Sequence, residues 1–427
     1  MWAPVEHPGW HPFLAVALLL GALALAQGAL LAARRSGLPA ALSDPLVARR
    51  LRWIGAVLLL AGVGLLCARW THRMASSDGR AWLDLADNPF IMGSEPLGRW
   101  SHYLAYRLVT LTGLDAWLAG GARLLALRLS SVAAGMFTLG ALLALAPAAL
   151  PRTARWSAVL FLFLTPTAVL WAGFLETTPW CYAFTGAYLL AGLRYLRLEL
   201  RRPPWAEGLL LMLAVWSHGV ACFATGAHAV LCLQWFFAAP ASARRQPARL
   251  AQLLLVALLP FLALGLTMLA AYQFGTGLPR SPWFGNALGG SDRERWVAFS
   301  AAQHGWRRPF RFGEPEYLAA QANLLLFACP LLLALPLAIS RTLAGRGRPL
   351  LFLLGAFCGL FGFALFYNPD LGMRQDMDLM GMYALPAGLI VALWWDARFS
   401  PGQQRLSAVW IATATAGFLL APALRFP

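Results

Sequence analysis

Apolar runs recur along the whole chain, at 11–33, 51–69, 123–150, 156–172, 179–197, 206–217, 219–238, 250–272, 319–340, 350–367, 379–395 and 406–423. A helix of about 20 such residues covers the roughly 30 Å of hydrocarbon in a bilayer. Hydrocarbon offers the backbone no hydrogen-bond partner, so a chain built this way folds as helices that satisfy themselves. With 59% hydrophobic and only 12% charged residues, a water-soluble domain is excluded. The expected fold is an all-α polytopic membrane protein of about 12 transmembrane helices, a single integral membrane domain over 1–427. The run at 206–217 is short for a crossing and also reads as a re-entrant or strongly tilted piece.

The net charge of +16 is carried by arginine alone, since the chain has no lysine. Arg34, Arg35, Arg49, Arg50, Arg52, then Arg152 and Arg155, then Arg194, Arg197, Arg201 and Arg202 fall in alternate connections. Arg244, Arg245, Arg249, Arg341, Arg346, Arg348, Arg398 and Arg405 continue the pattern if every run crosses. Short arginine-rich connections stay cytoplasmic, which places 70–122 and 273–318 outside as long loops, the first with amphipathic helices. Arginines scattered among loops do not form the basic stripe of a nucleic-acid binder, so none is expected as a partner. The opening "MWAPVEHPGWHP" has neither a basic segment nor a small-residue cleavage site, and is expected to precede an uncleaved first span. Cys67, Cys181, Cys222, Cys232, Cys329 and Cys358 lie in or beside apolar runs without metal-ligand spacing and read as small core residues. No cofactor is expected, with a divalent metal left open.

On this topology most carboxylates gather on the outer face: Asp78, Asp84, Asp87, Glu95, Glu176, Asp370, Asp376 and Asp378. Carboxylates at a bilayer edge face water, a partner or a polar cavity. Asp78 directly follows an apolar helix and reads either as a solvated loop residue or as a base held by a rigid element. Glu176, among apolar residues in "LWAGFLETTPW", either snorkels to water or joins Thr177 and Thr178 in binding a polar ligand. In "NPDLGMRQDMDL", Arg374 pairs with one of Asp376 and Asp378 as a structural salt bridge, or leaves the other free for a ligand. His218 reads as a neutral core histidine or as an acceptor or phosphate contact. The excess of arginine in the loop 273–318 suits lipid headgroups or a lipid-linked phosphate. Nucleotide-binding and hydrolase fingerprints are absent.

Several of these segments resemble polytopic glycosyltransferases of the GT-C superfamily, in particular bacterial mannosyltransferase-like members. The similar stretches are Asp78-Gly79, Ser94-Glu95-Pro96-Leu97, "GFLETTP" at Gly173 to Pro179, "EYLAAQANLLLFACP" at Glu316 to Pro330 with Asn323, and "YNPDLGMRQDMDLM" from Tyr367. The resemblance covers most of 70–395, with Thr178 and Met377 standing where those relatives carry aromatic residues. It implies a GT-C-like bundle that moves a sugar from a polyprenyl-phosphate donor to a glycan, lipid or protein acceptor, on the outer face of a bacterial inner membrane. It further implies Asp78 as the catalytic base, with Glu95, Glu176, His218, Arg374, Asp376 and Asp378 around the substrate. A lipid-binding transporter or a non-catalytic scaffold subunit of the same architecture is the alternative. Nearly charge-free spans and no internal repeat favour an enzyme with its site at the membrane edge.

Overall fold

The computed structural model describes residues 82–89, 95–117, 121–151, 177–198, 200–274, 347–367 and 380–398, with parts of 314–322 and residue 400. The runs expected at 11–33, 51–69, 156–172 and 406–423, most of 319–340 and the body of the loop 273–318 lie outside these residues.

Ten helices with defined bounds follow one another, further helical residues lie at 82–85 and within 315–322, and the described residues include no strand. They are α1 (Pro96–Thr112), α2 (Leu114–Trp117), α3 (Gly121–Ala149), α4 (Thr178–Leu198), α5 (Trp205–Ser217), α6 (Thr225–Ala238), α7 (Ala241–Arg244), α8 (Pro247–Phe274), α9 (Gly347–Phe366) and α10 (Ala384–Arg398). Short 3-10 turns at Gly219–Ala224 and Gly381–Tyr383 lead into α6 and α10. The runs expected at 123–150, 179–197, 206–217, 219–238, 250–272, 350–367 and 379–395 all fall on these elements, with boundaries within three residues. Three segments, Gly121–Ala149, Gly219–Ala238 and Gly347–Phe366, are long and apolar enough to cross a membrane. The helix at 206–217 is as short as expected, 13 residues, and a 3-10 turn follows it directly.

α4 sits at the centre. It packs along α3 and α5 and touches α1, α9 and α10, and its residues are buried nearly all round the helix. A helix apolar on every side belongs in the middle of a bundle. Its three tyrosines, Tyr182, Tyr188 and Tyr195, are all fully buried. Tyr188 meets Phe352 of α9 edge to face at 5.6 Å between ring centres, and the tip of the Phe352 ring abuts Gly192, where a Cβ would stand 2.3 Å from its Cζ. Such aromatic pairs add about 0.5–1.5 kcal/mol beyond the area they bury.

α9 and α6 run antiparallel and touch backbone to backbone. A Cβ on Gly355 would stand 3.0 Å from Ala227 N, and one on Gly359 would stand 1.8 Å from the Phe223 carbonyl oxygen. Lipid gives helices no hydrophobic drive to associate, so close backbone approach through glycines four residues apart supplies the attraction instead. α8 has the opposite character outward: Leu250, Leu254, Leu258, Phe261 and Leu262 are all exposed on one face. A stripe of that size suits acyl chains rather than water.

The helix ends sort by polarity. Arg201 and Arg202 occupy the α4–α5 turn, Arg244, Arg245 and Arg249 the approach to α8, and Arg348 the start of α9. There Arg202 forks onto Glu207 at 3.1 and 3.4 Å while Tyr195 donates to the Arg202 carbonyl at 2.5 Å. Arg249 stacks over Trp235 at 4.3 Å and donates to its carbonyl. α4 has 21 residues, so this basic end lies about 30 Å from the end where α4 begins.

Candidate functional site

At that other end, three segments far apart in sequence meet. Glu95 precedes α1, Thr177 precedes α4 and His218 separates α5 from its 3-10 turn. The residue between Glu95 and that junction in space is Gly98. A Cβ there would lie 2.6 Å from Thr177 Cβ and 2.7 Å from the Ser217 carbonyl oxygen, so only glycine lets the first turn of α1 seat against both. Pro96 at the helix start costs no hydrogen bond, because the first N–H groups of a helix have no internal partner. At its far end α1 stops at Gly113, whose φ of 65° is the left-handed conformation that closes a helix, its N–H returning to the Val109 carbonyl.

Glu95 carries the centre of the cluster. The Thr177 hydroxyl donates to its Oε2, and His218 Nε2 lies 3.3 Å from its Oε1. His218 Nδ1 accepts the Val220 N–H at 3.2 Å, so the neutral ring carries its proton on Nε2, aimed at the carboxylate. Burial by itself would push the Glu95 pKa up. His218, through its field and its hydrogen bond, then Thr177 and the more distant His102, outweigh that and hold it below the ordinary carboxylate value. The carboxylate is therefore charged at neutral pH, with only about a tenth of its side chain exposed, 12%.

A chain of hydroxyls braces this corner. Trp180 donates to Ser130 Oγ at 3.0 Å, Ser130 meets Ser101 at 2.8 Å, and Ser101 donates to the Gly98 carbonyl at 2.6 Å. It ties α4, α3 and α1 together beside the cluster. Arg99, fully buried, reaches the other way and donates to the carbonyls of Leu85 and Asn88, fixing the turn at 82–89. Burial lowers its pKa to about 10 against the opposing pull of Asp87, which leaves it charged. Asp87 itself forms a surface pair with Arg123 at 2.5 Å, and Asp84 is exposed. Cys181 donates its thiol to the His218 carbonyl at 3.7 Å and also touches Met382. The turn Gly381–Tyr383 that follows the "NPDLGMRQDMDL" stretch thus packs directly behind the cluster. Tyr317 and Gln321 donate to the Leu365 and Ala364 carbonyls, closing the end of α9 on the same side.

Of the seven residues that the sequence singles out, Glu95 and His218 are brought into contact. Asp78, Glu176, Arg374, Asp376 and Asp378 lie outside the described residues. Sequence reasoning missed Gly98, Arg99, His102 and Arg128. Arg128, almost fully buried at 3% on α3, was visible as a charge inside the apolar run 123–150, one of the few in spans that are otherwise nearly charge-free. His102, against Trp82 at 6.0 Å, had no signal beyond its polarity. Among the described residues no group of three metal-ligating side chains occurs, and Cys181, Cys222, Cys232 and Cys358 are all free. No family model, curated protein or solved structure matches the chain.

Proposed function

We propose that the chain is a multi-pass glycosyltransferase of about 12 spans that moves a sugar from a polyprenyl-phosphate donor to an acceptor at the outer face of a bacterial inner membrane. The observation that carries this reading is the meeting of Glu95, Thr177 and His218, drawn from three separate segments to one end of the bundle, opposite the arginines of the α4–α5 turn and of the starts of α8 and α9. Such convergence of polar groups where spanning helices end is what a reaction at a bilayer edge requires.

In this mechanism Asp78 takes the proton of the acceptor hydroxyl as that oxygen bonds to the sugar's anomeric carbon. The bond from that carbon to the phosphate oxygen breaks and polyprenyl phosphate leaves with the electron pair. Glu95 has lone pairs left after its two hydrogen bonds and can accept from a sugar hydroxyl, while His218 fixes its position. Glu176 adjoins Thr177, and Arg374, Asp376 and Asp378 shortly precede Met382, so each is a candidate for further substrate contacts.

A lipid-binding transporter or non-catalytic scaffold subunit remains the second reading. It is favoured by one feature: both ring nitrogens of His218 are occupied within the protein. The test is release of polyprenyl phosphate from polyprenyl-phosphate mannose, glucose and arabinose by the purified chain with a membrane lipid extract as acceptor source. Asp78→Asn should lower turnover about a hundredfold or more without unfolding the protein. Full activity in that variant would move the base elsewhere, and no release from any donor by the unmodified chain would leave the scaffold or transporter.

A further inference from the structure

At the basic end of the molecule, far from the Glu95 cluster, α6 and α9 leave an open groove. The two helices touch at Gly226 and Gly355, but seven residues before that, at Arg348, they have parted. The space is about 380 Å³ and is lined by Leu233, Gln234, Phe237, Ala238 and Arg348.

Three features of the lining ask for different chemistry. Leu233 and Phe237 are large apolar side chains left 47% and 61% exposed, a wall suited to hydrocarbon. Gln234 Oε1 is buried yet accepts no hydrogen bond, and a buried carbonyl without a donor costs about 1–3 kcal/mol. Arg348 is exposed and forms no ion pair among the described residues. The guanidinium of Arg244 lies over the Phe237 ring at 5.5 Å and adds a second positive charge at the rim. A soluble anion would satisfy the arginines and leave the apolar wall bare, whereas a neutral lipid would leave the arginines unmatched. Only an amphiphile with an anionic, hydroxyl-bearing head meets all three demands. The groove opens beside two segments long and apolar enough to cross a membrane, at the level of their ends, where lipid headgroups lie.

We infer that this groove binds an anionic glycerophospholipid of the surrounding leaflet. The phosphate lies on Arg348, a headgroup hydroxyl donates to Gln234 Oε1, and an acyl chain covers Leu233 and Phe237. The site is independent of any chemistry at the Glu95 cluster.

The experiment is native mass spectrometry of the full chain, reconstituted in mixed phosphatidylglycerol and phosphatidylcholine and then released from the bilayer. One phosphatidylglycerol should be retained in preference to phosphatidylcholine. Arg348→Ala should weaken that retention about tenfold and Arg348→Lys should keep most of it, because loss of one charge-assisted contact is a tenfold effect. Gln234→Leu should weaken it severalfold, and Arg201→Ala, in the α4–α5 turn at the same end, should leave it unchanged. A second measurement needs no variant: short-chain phosphatidylglycerol should raise the unfolding temperature of the unaltered protein more than short-chain phosphatidylcholine does. Equal retention of the two lipids, an Arg348→Ala variant that holds phosphatidylglycerol normally, or displacement by polyprenyl phosphate in preference to phosphatidylglycerol would each overturn the assignment.

Discussion

Replacing Gly359 by alanine should cost far more than the one methyl group suggests. The added Cβ would lie 1.8 Å from the Phe223 carbonyl oxygen and 2.9 Å from its carbon. A carbon and an oxygen need about 3.2 Å between them, so α9 and the turn Gly219–Ala224 must part by roughly 1.4 Å. The obstacle is backbone, and no side chain can rotate away. Parting the elements loosens the Phe223–Phe363 ring contact, now 4.8 Å between centres, together with buried Ala356 and Leu360 alongside. Overpacking alone costs about 1–3 kcal/mol, and the loosened contacts add to it, so a loss on the order of 3 kcal/mol is expected. Gly362 is the matched control. It lies three residues further along the same helix and a Cβ there meets nothing within 4 Å, so Gly362→Ala should be neutral or gain up to about 1 kcal/mol of helix propensity. Tryptophan-fluorescence melting of both variants in one detergent makes the comparison. If Gly359→Ala melts with Gly362→Ala, the glycine contact between α9 and the turn does not hold the bundle together and the packing argument fails.

Gly98→Ala should push the start of α1 off Thr177 and Ser217, loosening the Glu95 pair, and sugar transfer should fall severalfold while the melting temperature drops less than in Gly359→Ala. Equal losses in both assays would mean that Gly98 serves only packing. Glu95 has a lowered pKa, so its contribution to stability is present above its unfolded value of about 4.3 and disappears as pH falls through the lower folded value. The melting difference between the unaltered protein and Glu95→Gln should therefore be flat from pH 8 to 5 and shrink only below about pH 4; a difference that fades between pH 7 and 5 would refute the assignment. Arg202→Ala leaves the Glu207 carboxylate, 4% exposed, without its forked partner, and should cost about 1–3 kcal/mol in melting experiments. Adding Glu207→Gln should recover much of that, and a double variant no better than the single would show that the pair contributes little.

The helices were legible because apolar length is a strong signal: α3 through α6 and α8 through α10 begin and end where hydropathy changes. The short α5 was legible too, because Pro203 and Pro204 precede 206–217 and only His218 separates it from the next apolar run. What the sequence could not show was which faces meet. Gly355 and Gly359 stand out at helical spacing, yet Gly362 is equally conspicuous and touches nothing, so the partner surface decides which glycines matter. Glu95 was singled out in the long loop before α1 through the Ser94-Glu95-Pro96-Leu97 resemblance and His218 in the turn between two short apolar runs, but their pairing depends on Gly98 letting α1 enter the junction. That is a three-body contact with no local pattern.

The geometry of that junction also bears on the roles its residues can take. A general base needs a free lone pair at the reacting proton and a pKa near the working pH. Glu95 has a lowered pKa and two donors already in place, and both nitrogens of His218 are engaged, one with Val220 and one with Glu95. Neither is poised to take a proton at neutral pH. Their strength is rigidity: the His218 ring is held at two points, and Thr177 pins the carboxylate from the opposite side. Such a pair orients a ligand hydroxyl and holds three helix ends in register, so it is a positioning device. If transfer occurs here, the proton acceptor must come from another segment that reaches the same corner, and Asp78 is the carboxylate whose place in the sequence best fits that requirement.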